Sequence, residues 1–179
     1  MTAQRQERNR RWPGIRVRPR IALIAVLAGL WSAAAGELAG GGLAARAATT
    51  ERVVANRFTG LAIEGYDPVA YFADGRPMIG LPEFEASQSG VVWRFRNEGN
   101  RASFAAHPEI YGPRFGGYDP VDLARGVTVA GNPRFWLISG QRLYLFGREQ
   151  HRDAFAAHPE SVLRQANSRW PAIEHDLAQ

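Results

Sequence analysis

The sequence contains no cysteine and no lysine, so its 22 basic residues are all arginines. Without cysteine the chain cannot form disulfides, iron–sulfur clusters, thiolate zinc or copper sites, or a cysteine nucleophile. It also lacks a phosphate-binding loop, a dinucleotide-binding glycine fingerprint and the serine elbow of hydrolases. Since the motifs of these enzyme classes are missing, we expect a protein that is not an enzyme.

The apolar run near the start of the chain is short. Ile21–Ala35 contains 15 residues, fewer than the roughly 20 that a membrane-spanning helix needs. Arginines precede this run and small residues follow it, as in a secretory signal. We expect residues 1–47 to form an export signal and linker, which is either cleaved or retained as a membrane anchor through residues 21–35. Both outcomes predict a periplasmic or otherwise extracytoplasmic protein of the bacterial cell envelope.

Excess positive charge is confined to this leader. Residues 1–47 hold eight arginines and two acids, a net charge of +6, whereas the rest of the chain holds 14 arginines and 15 acids, a net charge of −1. A near-neutral body argues against a basic surface for a polyanion. We therefore expect no nucleic-acid partner.

The body of the chain is a tandem repeat. The string Gly-Tyr-Asp-Pro-Val occurs at 65–69 and 117–121, and the string Phe-Ala-Ala-His-Pro-Glu occurs at 104–109 and 155–160. These spacings predict two diverged copies, 65–116 and 117–166. An N-terminal extension at 48–64 and a C-terminal tail at 167–179 flank them.

Each copy predicts a β-hairpin followed by a helix. Aromatic and β-branched residues flank short polar turns that contain Gly90 or Gly140, and Asn97 is suited to cap the first helix. We expect an α+β fold in which both copies pack as one small domain over residues 58–173. The shared core is predicted to contain Trp93, Phe95, Trp136, Tyr144 and Phe146.

Several strings resemble the exported YHS-domain proteins of bacteria. They are the octet at 65–72, the residues around Asn100-Arg101, the string Phe115-Gly116-Gly117-Tyr118 and the pair Trp170-Pro171. The resemblance implies a YHS or treble-clef-like fold with a metal-binding or metal-sensing role. It also implies a cysteine directly after Gly-Gly-Tyr. Asp119 stands at that position here, so we expect a degenerate metal site in a diverged member.

The candidate metal ligands are His107 and His158, which occupy equivalent positions in the two copies, and Asp119. Imidazole and carboxylate groups suit zinc or another divalent ion. The alternative is that both histidines simply end a helix before a proline. We expect no tightly bound cofactor and at most a weakly bound divalent metal.

Asp67 and Asp119 also form a pair of the kind that general acid–base catalysis uses, each within Gly-Tyr-Asp-Pro. Asp before Pro is an ordinary turn starter, however, and duplication explains the pairing. We therefore assign no catalytic residue. The resulting hypothesis is an exported, non-enzymatic YHS-like binding module whose partner is a metal ion or an envelope protein. The alternative is a structural or protein-interaction domain of the envelope with no metal role.

Overall fold

A computed structural model describes residues 51–177, and the predicted export signal at 1–47 lies outside the described residues. The strands are β1 (Leu81–Gln88), β2 (Val91–Phe95), β3 (Asn132–Ser139) and β4 (Arg142–Phe146). The α-helices are α1 (Ala70–Ala73), α2 (Glu98–Ala106), α3 (Pro108–Tyr111), α4 (Pro120–Leu123), α5 (Glu149–Ala157) and α6 (Pro159–Asp176). Short 3-10 helices precede α1 and α4, at Ile63–Gly65 and Arg114–Gly117. Among residues 51–177, no helix is both long and apolar enough to cross a membrane.

The fold is α+β, as the sequence predicts, and its strands form two separate antiparallel hairpins, β1–β2 and β3–β4. The equivalent strands of the two hairpins begin 51 residues apart. Their registers also match, because Ala86 opposes Trp93 in the first hairpin and Leu137 opposes Tyr144 in the second. Each first strand carries a register shift at the same place, between Leu81 and Glu85 in β1 and between Asn132 and Trp136 in β3. The two copies therefore have the same plan.

The hairpin turns use left-handed backbone at two consecutive residues. Ser89 and Gly90 have φ angles of 57° and 78°, and Gly140 and Gln141 have 56° and 57°. Two positive φ angles in a two-residue turn match the right-handed twist of the strands that they join. This confirms the two glycine-containing turns that the sequence predicts.

The helix boundaries also follow the predicted signals. The Asn97 side chain accepts a hydrogen bond from the backbone N–H of Asn100 and thereby caps α2. The helix ends at His107, and Pro108 begins α3. In the second copy α6 continues for 18 residues from Pro159. The predicted boundary between residues 166 and 167 therefore falls inside one continuous helix.

Buried side chains form two clusters rather than the one shared core that the sequence predicts. In the first cluster, the Phe104 ring lies 4.8 Å from Trp93 and 5.2 Å from Phe95, measured between ring centroids. The second cluster repeats this arrangement at 4.9 and 5.3 Å, with the rings of Phe155, Tyr144 and Phe146. Each copy thus has its own aromatic centre, built from equivalent positions.

Strand β4 lies between the two clusters. Leu143 and Leu145 belong to the first cluster, whereas Tyr144 and Phe146 belong to the second, because alternate residues of a strand face opposite sides. The hairpin β3–β4 therefore covers the first cluster. Apolar residues of α6 cover the second: Val162, Leu163, Ala166, Trp170 and Ile173.

Tyr71 links the two copies through a buried hydrogen bond, in which its hydroxyl donates to the carbonyl of Pro133 at 2.8 Å. Burial raises the pKa of Tyr71 well above its ordinary range, and the nearby Tyr66 and Asp67 add to the shift. Because the chain has no lysine, tyrosines are the side chains whose ordinary pKa lies near 10.

We expect the free energy of unfolding to fall as the pH rises above about 10. Unfolded Tyr71 ionises at its ordinary pKa, whereas folded Tyr71 stays protonated, so the unfolded state gains stability in that window. Tyr71→Phe should reduce this alkaline loss and cost about 1–3 kcal/mol at neutral pH, since the Pro133 carbonyl loses its donor. Urea denaturation at a series of pH values measures both effects. Tyr111→Phe is the control, and equal alkaline losses in the two variants would contradict the assignment.

Candidate metal centre

The two histidines proposed from the sequence as metal ligands lie at helix ends. His107 ends α2 and His158 ends α5, each directly before the proline that begins the next helix. Both are exposed, and His107 Nδ1 lies 3.5 Å from the Glu109 carboxylate. Within residues 51–177, neither histidine belongs to a group of three side chains that could share a metal ion. The structure therefore gives them the helix-end position that the sequence offered as the alternative.

Asp119, the third proposed ligand, is fully buried and links three elements of the second copy. Its Oδ1 accepts a hydrogen bond from the N–H of Val121, at 2.8 Å, where α4 begins. Its Oδ2 accepts one from the N–H of Gly147, at 2.8 Å, directly after β4. The same oxygen lies 2.7 Å from Nδ1 of His151 on α5. This carboxylate therefore links the first turns of α4 and α5 to the end of β4.

Asp67 makes the equivalent network in the first copy and is also fully buried. Its Oδ1 accepts from the N–H groups of Val69 and Ala70, at 2.8 and 3.2 Å. Its Oδ2 accepts from the N–H of Arg96 at 2.7 Å and from Nδ2 of Asn100 at 2.6 Å. Each aspartate thus has the turn-starting role that the sequence favours over catalysis.

The second copy adds two ionisable groups to this network. Asp119, Asp122 and His151 each offer one ligand atom, and these atoms lie within 4.8 Å of one another. His151 Nδ1 is 3.6 Å from Asp122 Oδ2, and the side chains of Asp122 and His151 are only 10% and 8% exposed. This buried group could hold a metal ion, although its members already form ion pairs with each other.

The Asp122 carboxylate is held by long ion pairs. Within the described part of the chain its closest polar partners are ion pairs at 3.6 Å to Arg125, 3.9 Å to Arg148 and 3.6 Å to His151, all longer than a hydrogen bond. Among residues 51–177 the one buried side-chain oxygen without a hydrogen-bond partner is Oε2 of Glu51, so the Asp122 oxygens are not sealed away from both protein and solvent. Two carboxylate oxygens and an imidazole nitrogen within 4.8 Å of one another are donors that suit a divalent ion, so the residues present fit a metal ion.

Arg148 determines which nitrogen of His151 carries the proton. Its Nε donates to His151 Nε2 at 2.8 Å. Arginine has no acceptor and stays protonated, so Nε2 must be the accepting nitrogen. The proton of a neutral ring therefore sits on Nδ1, where it is donated to Asp119 Oδ2.

These residues lie at positions where the two copies differ. Asp122 follows the matched Gly-Tyr-Asp-Pro-Val string, where the first copy has Ala70. His151 replaces Asn100, four residues before the matched phenylalanine, and Arg148 replaces the capping residue Asn97. Sequence reasoning missed Asp122 and His151 because it compared only what the copies share. The signal in the sequence is the replacement of two neutral residues by ionisable ones within a matched repeat.

A pocket of about 460 Å³ opens beside this group. Asp122, Arg125, Arg148 and Gly147 supply its polar lining, and Val127 and Val129 supply its apolar lining. The pocket gives solvent a route to the Asp122 carboxylate.

Searches against protein-family models, curated proteins and solved structures find no match to this chain.

Proposed function

We propose that this chain is an exported, non-enzymatic, YHS-like binding module whose ligand is a divalent metal ion held by Asp119, Asp122 and His151. The observation that carries the proposal is the Asp122 carboxylate, which is nine-tenths buried beside an Asp–His pair and takes no hydrogen bond from residues 51–177. The repeated hairpin-plus-helix plan supports the YHS-like assignment. The arginine-rich leader followed by a short apolar run supports export to the cell envelope.

The donor set indicates the class of metal. One imidazole nitrogen and two carboxylate oxygens suit zinc, cobalt(II) or manganese(II), and they are poor ligands for soft copper(I). Three protein ligands leave at least one coordination position for water or another small ligand. The neighbouring pocket gives such a ligand access to the site. The sequence predicts at most weak binding through His107, His158 or Asp119. Of these three residues Asp119 belongs to the buried group, which Asp122 and His151 complete.

The test is elemental analysis and cobalt(II) titration of the full chain after dialysis against a chelator. We expect one cobalt ion per chain, detected by visible absorption. Binding should be lost in Asp122→Ala and in His151→Asn, because each change removes a proposed ligand. Each change also restores the residue that the first copy carries at the same position. Both variants should still fold, since the first copy forms the same network with Ala70 and Asn100.

The matched control is the double variant His107→Ala, His158→Ala, which should bind cobalt(II) as the parent does, because both side chains are exposed and lie outside the group. Equal cobalt(II) binding in the parent, Asp122→Ala and His151→Asn would contradict the proposed site.

The rival is a structural or protein-interaction domain of the envelope with no metal role. The first copy favours it, because Asp67 makes the same contacts with an amide partner in place of the imidazole. If the protein is such a structural or interaction domain, the parent binds no cobalt(II). Asp122→Ala then changes only the free energy of unfolding.

A further inference from the structure

Two arginines face the candidate metal centre from the pocket. Arg125 Nη1 lies 3.6 Å and Arg148 Nη2 3.9 Å from Asp122 Oδ1, and their side chains are 62% and 57% exposed. At these distances each guanidinium keeps N–H donors that no residue of 51–177 accepts. Such donors match the oxygens of a carboxylate or phosphate group.

Arg148 is also placed where a capping residue is expected. It is the N-cap of α5, and its side chain makes no capping hydrogen bond, whereas Asn97 caps α2 in the first copy. The first N–H groups of α5 therefore remain without the side-chain acceptor that α2 has. The positive end of the helix and the added guanidinium both favour an anion at this place.

Metal binding at His151 would free Arg148. When a metal ion occupies Nδ1, the proton of a neutral imidazole must move to Nε2. An Nε2–H group then faces the Nε–H of Arg148 across the present 2.8 Å contact. Because two donors cannot share a hydrogen bond, the guanidinium is released. Arg125 and Arg148 pair with Oδ1 of Asp122, whereas His151 lies beside Oδ2, so an ion bound at Oδ2 would leave both arginines next to the site.

The charges around the site also favour an anion once a metal ion is bound. The two carboxylates of Asp119 and Asp122 are offset by the guanidinium groups of Arg125 and Arg148, with a neutral His151 between them. A divalent ion adds two positive charges to a site whose ligands are nine-tenths buried or more. An excess of this size in a partly buried site favours an anion strongly.

We propose that the bound metal ion recruits a small oxyanion, which occupies the open coordination position from the pocket and is held by Arg125 and Arg148. This inference rests on the proposed metal-binding function. The shared chemistry is a negatively charged oxygen pair or triad, as in a carboxylate or a tetrahedral oxyanion.

The test is cobalt(II) titration of the full chain in chloride, acetate and sulfate buffers of equal ionic strength. We expect the apparent affinity for cobalt(II) to rise about tenfold in acetate or sulfate relative to chloride. Which anion gives the larger rise distinguishes a planar carboxylate from a tetrahedral oxyanion. Arg148→Gln should bind cobalt(II) at least as tightly as the parent in chloride, because the competing charge is gone. The same variant should show no rise with either anion.

Arg125→Gln should lose part of the rise, and Arg76→Gln, which changes an exposed arginine elsewhere, should keep all of it. Equal cobalt(II) affinity in the three buffers would overturn the oxyanion site and leave the metal site standing. A rise that survives in the double variant Arg125→Gln, Arg148→Gln would also overturn it. Absence of cobalt(II) binding in every buffer would remove the metal site and this inference together.

Discussion

Replacing Phe155 with alanine is expected to lower the free energy of unfolding by about 3–5 kcal/mol. The Phe155 side chain is fully buried, and its ring lies 4.9 Å from that of Tyr144 and 5.3 Å from that of Phe146. Its ring packs α5 against two residues of β4. Since rigid aromatic rings surround the site, the structure cannot close over the cavity that the change leaves. Urea denaturation followed by tryptophan fluorescence measures the loss.

Two companion variants make this result specific. Phe104 occupies the equivalent position in the first copy and is 2% exposed, so Phe104→Ala should cost a similar amount. Phe58 is 83% exposed, so Phe58→Ala should change stability by no more than about 0.5 kcal/mol. A cost for Phe155→Ala close to that of Phe58→Ala would contradict the two-cluster packing.

Asp67→Ala is expected to destabilise the fold by about 3–5 kcal/mol, because it removes the acceptor from four buried or half-buried donors. Three of these are backbone N–H groups, those of Val69, Ala70 and Arg96, and the fourth is the side-chain amide of Asn100. No other residue of 51–177 takes the place of the carboxylate at these donors. Thermal or urea unfolding monitored by circular dichroism checks the prediction.

Asp74 provides the matched control for Asp67. It is an exposed aspartate at the end of α1, and its carboxylate makes no hydrogen bond or ion pair with the described residues. Asp74→Ala should therefore change the free energy of unfolding by about 0.5 kcal/mol or less. Similar costs for the two variants would show that the Asp67 network adds little to stability.

Much of the fold could be predicted from local sequence signals. The turn glycines Gly90 and Gly140 mark the hairpins, and the Asn97 cap with the following Pro108 marks both ends of α2. These signals act within a few residues of the chain, where backbone conformation is set mainly by local preference.

The parts that escaped prediction depend on tertiary contacts. Ile63, Glu64 and Phe115 have left-handed backbone, with φ angles of 42°, 57° and 55°, although their side chains disfavour it. The Phe115 bend is held by packing of its ring and by the Val54 N–H, which donates to the carbonyl of Gly116. The division of the core into two clusters likewise depends on which face of β4 packs against each copy. A list of aromatic residues cannot specify this.

The candidate site shows the same limit in a different form. Asp119 stands out in the sequence because it lies in a repeated string, but His151 lies 32 residues further along the chain and meets it only in the folded structure. The repeat also singles out His107 and His158. These two residues occupy equivalent positions because each ends a helix. A shared position reflects the common fold, and a position that has changed in one copy is the better indicator of a new role.

The proposed metal site among Asp119, Asp122 and His151 can be observed by diffraction. Anomalous diffraction at the zinc absorption edge, from crystals of the chain grown with zinc, tests this most directly. We expect one strong anomalous peak within bonding distance of His151 Nδ1 and of both carboxylates, and no such peak in crystals of His151→Asn. Crystals grown with zinc that show no peak at this group, or peaks only at His107 and His158, would contradict the proposed site.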